Sequence, residues 1–415
     1  METTILDQHS DNSRFIDLRN QFMQELEHGI LPFWLKYSVD KEHGGFYGRV
    51  DNKGYAIPQA PKALILNTRI LWSFSAAYSA LGHSEYLKMA DRAYDYIRDY
   101  FIDTEFSGVY WMLDFQGNPL EDKKKVYGHA FLIYALAEYF RTAGKQTALD
   151  LAVELFEIIE KFFFDQENGG YFEATRRDWT PTDDLRLSAI DLNEKKSMNA
   201  HLHILEAYTN LLRVRPDSRL KKQLTALLKD IQTHIINSKT GHYHLFFNEF
   251  WEPKSHWISL GHDIEGSWLI WEAAEVLDNP VLKSEIRSLA VQQASAVYER
   301  GLNPDGSLID EIHYNGQHDL EKIWWIHAEA MVGFLNAYQL SGDFKFFQAM
   351  LRVWNFVREN LIDSRHGEWF YKRTEDGQVA SNEFKISEWK GPYHNSRACL
   401  EIARRLDRLS QTQIV

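Results

Sequence analysis

Six short segments of this sequence together are rich in histidine, arginine, carboxylates and tryptophan. Six of the 17 histidines fall within them. An imidazole gains and loses a proton near neutral pH, and a nearby arginine stabilises negative charge that develops on an oxygen. These residue types together favour proton transfer next to a carbonyl group. The segments are Asn67–Arg69, Tyr127–His129, Asn199–His203, His262–Glu265, Trp325–Glu329 and His394–Arg397.

Metal binding is a competing interpretation of the same histidines. His201 and His203 are two residues apart, so on a helix they project roughly 200° apart and cannot chelate one ion. His262 and Glu265 could share a helix face, but the sequence offers no evident third ligand. We therefore expect no metal.

Glycoside hydrolysis is the other alternative, because Glu265 and Glu329 could supply the two carboxyl groups that flank a sugar bond. Each carboxylate, however, stands two or three residues after an imidazole on the same helix. This spacing suits Glu265 to orienting His262 better than to acting as an acid of raised pKa.

A glycine-plus-aromatic signature explains how such distant segments can meet. It recurs six times, anchored at Gly44, Ser107, Gly169, Gly241, Gly306 and Gly367, and the fifth copy keeps only the glycine and an aliphatic pair. Between copies lie two stretches with apolar residues at helical spacing, separated by short breaks rich in turn-forming residues. Each period therefore predicts one helical hairpin and a strand-like loop.

Two predicted helices remain unpaired, one at about residues 16–37 and one at about residues 396–409. Pairing them completes a sixth hairpin and closes a ring. We predict an all-α fold, an (α/α)6 barrel with short β-hairpin-like loops at one end; an open helical array is the alternative. All inner helices of such a ring begin at the same end, so the six polar segments given above would meet there. The predicted domains are a flexible N-terminus, residues 1–13, and a single catalytic domain, residues 14–410.

Composition narrows the class of protein. The chain has 415 residues, a net charge of −13 and one cysteine, Cys399. This charge disfavours a nucleic acid or an anionic membrane as partner, and no stretch has the apolar length of a membrane span. We expect a cytoplasmic, monomeric protein that binds a small molecule, without a disulfide bond within the chain.

Five motifs, in order, resemble the N-acylglucosamine 2-epimerase superfamily, and within it the cellobiose 2-epimerase branch. The resemblance extends over residues 20–408. The motifs are Asn67-Thr68-Arg69-Ile70-Leu71-Trp72, Ser197-Met198-Asn199-Ala200-His201-Leu202-His203, Gly261-His262-Asp263-Ile264-Glu265, Trp324-Trp325 with Ala328-Glu329-Ala330, and Trp389-Lys390-Gly391-Pro392-Tyr393-His394-Asn395.

The resemblance implies an (α/α)6 barrel without metal or organic cofactor that inverts C2 of the reducing-end sugar of β-1,4-linked disaccharides such as cellobiose or lactose. His262 and His394 match the acid/base pair of that family, and His203 matches a third essential histidine. Other positions match residues that serve catalysis or line the sugar site: Arg69, Tyr127, Asn199, Glu265, Trp325, Glu329 and Trp389, with Asp191 as a weaker candidate.

The sequence leaves several points open. His203 and Tyr127 could assist ring opening or bind hydroxyl groups. His129, His327 and Lys125 depart from the family pattern beside the expected site, which bears on sugar preference and pH optimum. Alternatives are a mannose 2-epimerase or isomerase, an N-acylglucosamine 2-epimerase, an α/α-barrel glycoside hydrolase and a non-catalytic sugar-binding protein.

Overall fold

The computed structural model describes the backbone of residues 2–412 and the side chains of residues 13–411. Helices dominate this part of the chain. They are α1 (Glu2–Gln24), α2 (Leu31–Tyr37), α3 (Leu64–Leu81), α4 (Ser84–Tyr96), α5 (Val126–Ala143), α6 (Gln146–Phe162), α7 (Met198–Val214), α8 (Ser218–Asp230), α9 (Leu260–Leu277), α10 (Pro280–Arg300), α11 (Trp324–Ser341), α12 (Phe344–Phe356) and α13 (Tyr393–Thr412).

Six of these helices form a closed inner ring. Each of α3, α5, α7, α9, α11 and α13 contacts the next, and α13 returns to contact α3. Their apolar residues are buried nearly all round, as in α3, where every residue from Leu64 to Ala77 is buried. The closed ring confirms the predicted (α/α)6 barrel and excludes the open array.

The outer layer consists of α1, α4, α6, α8, α10 and α12, each packed behind the inner ring. Short turns join five of the outer helices, α4, α6, α8, α10 and α12, to the inner helix that precedes each of them. Gly82, for example, ends α3 in the left-handed conformation, with φ of 75°, which glycine adopts without steric cost.

The chain termini complete the ring as predicted. Helix α1 packs on α13, and a π-helical segment, Glu25–Ile30, continues it into α2. Phe22 of α1 stacks on Trp354 of α12, with ring centres 4.3 Å apart. The expected flexibility of residues 1–13 stays a prediction: α1 begins at Glu2, but the side chains of residues 1–12 lie outside the described residues.

All six copies of the glycine-plus-aromatic signature form the same short antiparallel bridge, including the degenerate fifth copy. The bridges join Val39 to Phe46, Ile102 to Val109, Phe164 to Tyr171, Ile236 to Tyr243, Leu302 to Leu308, and Ile362 to Trp369. We call the loop that each bridge closes a repeat turn. The sequence signature therefore marks a structural repeat.

Short strands gather where the inner helices begin. They are β1 (Lys62–Ala63), β2 (Met112–Leu113), β3 (Pro119–Glu121), β4 (Lys124–Lys125), β5 (Ala174–Thr175), β6 (Lys196–Ser197), β7 (Phe246–Phe247), β8 (Trp257–Ser259), β9 (Glu311–His313), β10 (Lys322–Ile323) and β11 (Lys372–Arg373). A strand that leads into an inner helix pairs with a strand of the next unit, as β4 does with β5. Among the described residues, no helix has the length and apolarity needed to cross a bilayer.

Candidate active site

Three of the six histidines singled out from the sequence hold repeat turns. They are the fourth residues of their inner helices: His129, His201 and His327. In each, Nδ1 donates to the backbone carbonyl four residues earlier, at 2.6–2.8 Å. The Nε2 atom then accepts the backbone N–H of the signature's aromatic or aliphatic residue, at 2.9 Å for His201 and Tyr171. We call these three the turn-holding histidines.

None of the turn-holding histidines lines the cavity described below. Burial lowers the pKa of His129 and His201 to about 3 and that of His327 to about 4, so all three are neutral. The expectation that His129 and His327 lie beside the sugar site is therefore wrong. The fourth helical position faces the outer layer, and their side chains connect inner helix to repeat turn.

A cavity of about 450 Å³ opens at the end of the ring where the inner helices begin. Every site residue predicted from the sequence lines it except Glu329. The lining residues are Arg69, Tyr127, Leu187, Ser188, Ala189, Ile190, Asp191, Asn199, His203, His262, Glu265, Trp324, Trp325, Tyr371, Glu388, Trp389 and His394.

Helical geometry explains this selection. The second and sixth residues of a helix are four apart and share a face, and in the inner helices that face points into the ring. Tyr127, Asn199, Trp325 and His394 are second residues, whereas Arg69, His203, Glu265 and Glu329 are sixth residues. His262, a third residue, lies at the edge of this face.

His394 is held by a carboxylate. Its Nδ1 donates to Glu329 Oε1 at 2.6 Å, which leaves Nε2 as the unprotonated nitrogen of the neutral ring. Burial, with the positive charges of Arg69 and Arg397, lowers the pKa of His394 well below its usual value. Glu329 is 1% exposed and lies behind this imidazole, away from the cavity. Its structural place is that of a positioning group, not the predicted sugar contact.

His262 is half-buried, and its Nδ1 lies 2.8 Å from the hydroxyl of Ser259, the residue that caps α9. Burial lowers the pKa of His262 to about 3. The expectation that Glu265 orients His262 is wrong. The Glu265 carboxylate turns instead toward Arg397 and lies 3.9 Å from Nδ1 of His394.

Trp325 lies against both imidazoles. Its ring centre is 4.9 Å from that of His262 and 5.5 Å from that of His394. Two neutral bases, carried by different inner helices, therefore line one cavity and lie against the same indole.

Arg397 connects the polar groups beneath the cavity. Its Nη2 donates to Glu265 Oε1 and to Glu329 Oε1, at 2.7 Å each, and its Nη1 donates to Glu206. Glu206 in turn accepts from Nδ1 of His203 at 2.9 Å. Sequence reasoning gave no role to Arg397 or Glu206, although Glu206 follows His203 by three residues, the spacing of a helical pair.

This guanidinium bears on two of the alternatives. Donor atoms of Glu265, Glu329 and His394 lie within 4.8 Å of one another, as in a metal site, but Arg397 already supplies their positive charge. The same contact places Glu265 and Glu329 together on one nitrogen. Two carboxyl groups bound to one guanidinium do not flank a glycosidic bond. Burial and the negative charge of Glu329 raise the pKa of Glu265 to about 8.

Arg69 lines the cavity from α3, the inner helix next to α13. Its Nη1 donates to the backbone carbonyl of Trp389, and its Nη2 lies 3.4 Å from the hydroxyl of Tyr127. The Nε atom of Arg69 and the Oδ1 atom of Asn199 are buried without a hydrogen-bond partner.

The segment 187–191 forms part of the lining of the cavity. Asp191 accepts the backbone N–H of Ser188 at 2.8 Å, and burial raises the pKa of Asp191. Lys125 donates to the carbonyl of Leu187 at 3.0 Å and pairs with Glu121 at 2.9 Å. Lys125 therefore fixes this segment through the backbone carbonyl of Leu187. Trp324, Tyr371 and Glu388 also line the cavity without having been singled out from the sequence.

The chain belongs to the N-acylglucosamine 2-epimerase family, whose model, described as N-acylglucosamine 2-epimerase (GlcNAc 2-epimerase), matches residues 45–398. Within that family it is similar to proteins named cellobiose 2-epimerase. The protein of that name from Bacteroides fragilis is 45% identical over 386 residues, which cover 93% of this chain and 98% of that protein. The one from Dictyoglomus turgidum is 39% identical over 390 residues, 94% of this chain and 99% of that protein.

Solved structures agree. The cellobiose 2-epimerase from Bacillus thermoamylovorans superposes with a TM-score of 0.90 at 41% identity, covering 94% of this chain and 99% of that one. A D-mannose isomerase superposes with a TM-score of 0.81 at 20% identity, covering 93% and 97%. At that identity the second likeness shows a shared fold alone.

Proposed function

We propose that this protein is an isomerase that inverts C2 of the reducing-end sugar of β-1,4-linked disaccharides such as cellobiose and lactose. One observation carries the proposal: two neutral imidazoles, His262 and His394, line one cavity, and both lie against Trp325. The 45% identity to a cellobiose 2-epimerase supports the same reaction.

Inversion of C2 requires a proton to leave one face of the carbon and another to arrive on the opposite face. In the open-chain sugar, one histidine removes the C2 proton, and the electron pair left behind forms a C1–C2 double bond while the C1 oxygen becomes negative. The other histidine, which at this step has taken a proton from solvent on Nε2, protonates C2 from the other side, and the electrons return to restore the aldehyde. The first histidine then returns its proton to solvent. Each imidazole acts as base in one direction and acid in the other.

Arg69 is suited to stabilise the enediolate. Its side chain lines the cavity, and its Nη2 lies 3.4 Å from the hydroxyl of Tyr127. A well-placed donor of this kind contributes on the order of 10²–10³ in rate. His203, held by Glu206, is suited to move the proton between ring oxygen and O1 that opens the sugar ring.

A disaccharide fits better than a monosaccharide because the cavity continues past Trp389. A neighbouring cavity of about 280 Å³ shares Trp389, Glu388 and residues 187–189 with the first. Trp111 also lines this neighbouring cavity, with its ring centre 6.0 Å from that of Trp389. Flat indole faces suit the C–H surface of a second pyranose.

The test is incubation with cellobiose in D₂O, followed by NMR. We expect the 2-epimer, a disaccharide with mannose at its reducing end, with deuterium at C2. His262→Asn and His394→Asn should each lower kcat by about 10²–10⁴ while the fold persists. Unlabelled epimer, or release of free glucose, would contradict the proposal.

The remaining parts of the proposal concern the setting of the enzyme. We propose that residues 14–410 act as a monomer in the cytoplasm, on a freely diffusing sugar, without a nucleic acid partner. The net charge of −13 and a single, buried cysteine support this setting, and one chain supplies the described lining of the cavity. Light scattering coupled to gel filtration tests the monomer.

A further inference from the structure

A buried ion pair recurs between repeat turns and the strands that lead into inner helices. Four units contain it, with Nζ–Oδ2 distances of 2.6–2.8 Å. The pairs are Asp40–Lys62, Asp103–Lys124, Asp165–Lys196 and Asp363–Lys385. In the first three, the lysine stands two residues before its inner helix.

The last unit departs from this spacing. Lys385 stands eight residues before Tyr393, where α13 begins, so this unit has six additional residues. The added stretch contains Glu388 and Trp389, and both line the cavity. An insertion into the repeat thus supplies one wall of the site.

A second ion pair, particular to this unit, anchors the insertion. Glu368 and Lys390 are both 0% exposed, and Nζ of Lys390 lies 2.6 Å from Glu368 Oε1. The same oxygen accepts from Nδ2 of Asn395, also at 2.6 Å. The other oxygen, Oε2, accepts the indole N–H of Trp34 at 2.6 Å, and the backbone N–H of Glu368 donates to the carbonyl of Gly29 at 2.9 Å.

We infer that Glu368 is a positioning residue for the reaction proposed above, on which this inference rests. Lys390 directly follows Trp389, and Asn395 directly follows His394. One carboxylate oxygen therefore fixes the backbone beside an aromatic wall of the site and beside one of its two bases. Through Trp34 and Gly29, the same residue ties both to α2 and to the π-helical segment Glu25–Ile30 that follows α1.

Charge burial makes this anchor rigid. Removing one partner of a buried pair leaves an unpaired charge in a medium of low polarity. For the same reason, any arrangement that separates Glu368 from Lys390 is strongly disfavoured. A displacement of about 1 Å in a catalytic group is enough to cost about 10² in rate. The anchor therefore acts on chemistry through placement, without touching the sugar.

The variant E368Q/K390M tests this role because it removes both charges together. Its matched control is D40N/K62M, which removes the corresponding pair of the first unit, outside the cavity lining. We expect E368Q/K390M to lower kcat/KM for cellobiose about 10²-fold, and D40N/K62M to stay within about threefold of wild type, although both lose thermal stability. Equal activity losses in the two variants, in step with stability, would overturn the inference.

Hydrogen exchange of the sugar-free protein separates this inference from the proposed function. In E368Q/K390M we expect faster exchange confined to residues 387–395 and their contacts, whatever sugar the enzyme uses. Unchanged exchange there would overturn the positioning role.

Asn395→Ala covers the case in which the double variant does not fold, because it keeps the Glu368–Lys390 pair. It should lower kcat about tenfold with KM nearly unchanged, since only the hold on His394 is lost. A wild-type kcat in Asn395→Ala would also overturn the inference.

Discussion

The three cavity histidines differ from the turn-holding ones in the group that Nδ1 contacts. His394 and His203 each meet a carboxylate, and His262 meets a hydroxyl, whereas the turn-holding histidines bond to backbone carbonyls of their own helices. A side-chain partner leaves the ring at the helix face that lines the cavity. A backbone partner holds the imidazole against the carbonyl four residues earlier, at the start of the helix. The partner of Nδ1 therefore distinguishes the cavity histidines from the turn-holding histidines.

Burial of His262 and His394 determines how kcat/KM changes at low pH. Because the pKa of His262 is lowered to about 3 and that of His394 falls well below 6.5, both rings are neutral at pH 6–8. A base is lost only when it is protonated, so kcat/KM should hold as pH falls through 6.5 and decline well below it. Kinetics with cellobiose across pH 4.5–8, with melting curves at each pH, measures this. An acid limb centred at or above pH 6.5 would contradict it.

The sequence could name the cavity residues but not their connections. Residue type and motif order identified ten of the residues that line the cavity, since helix position determines which residues face inward. Arg397 was missed because its carboxylate partners come from other helices, up to 191 residues away. Glu206 was missed although its partner His203 stands three residues earlier on the same helix. His129 and His327 were misplaced because one helical step separates the cavity face from the face toward the repeat turns.

At the scale of elements, the repeat turn is the unit that sequence patterns captured best. Its glycine and its aromatic or aliphatic residue recur because the turn needs left-handed backbone and a buried apolar side chain at fixed places. The short strands were harder to predict, since two residues carry no alternation and their partners belong to the next unit.

Gly170→Ala tests the packing of a repeat turn. Gly170 has φ of 72°, and a Cβ there would lie 2.3 Å from the Trp251 ring and 2.7 Å from Nε2 of His201. We expect a loss of about 3 kcal/mol in the free energy of unfolding, from left-handed strain and overpacking together.

Gly144→Ala is the control for that substitution. Gly144 has φ of 66°, but nothing lies within 4 Å of its Cβ position, so only about 1 kcal/mol should be lost. Urea unfolding of both variants gives the comparison. Equal losses would show that the contact with His201 and Trp251 does not constrain the turn.

At the scale of the molecule, the ring depends on a seam between the two ends of the chain. Unpaired first and last helices were enough to predict closure, because an inner and an outer helix each lacked a partner. Cavity shape was beyond such reasoning, since it depends on the six-residue insertion and on segment 187–191, neither of which follows the repeat.

Phe22→Ala probes that seam. Phe22 is 0% exposed and stacks on Trp354, although it belongs to the first helix of the chain. In a closed ring it is a core residue, so its truncation should cost about 3–5 kcal/mol. Urea unfolding followed by circular dichroism and by tryptophan fluorescence should show one shared, shifted transition. A loss below about 1 kcal/mol would indicate a frayed end, not a closed seam.

The most direct test of the account is a crystal structure with an open-chain disaccharide alditol bound, such as the reduced form of cellobiose. We expect C2 of the alditol beside Trp325, with Nε2 of His262 and Nε2 of His394 facing it from opposite sides. A complex in which only one of these nitrogens reaches C2, or in which both approach the same face, would contradict the two-histidine mechanism.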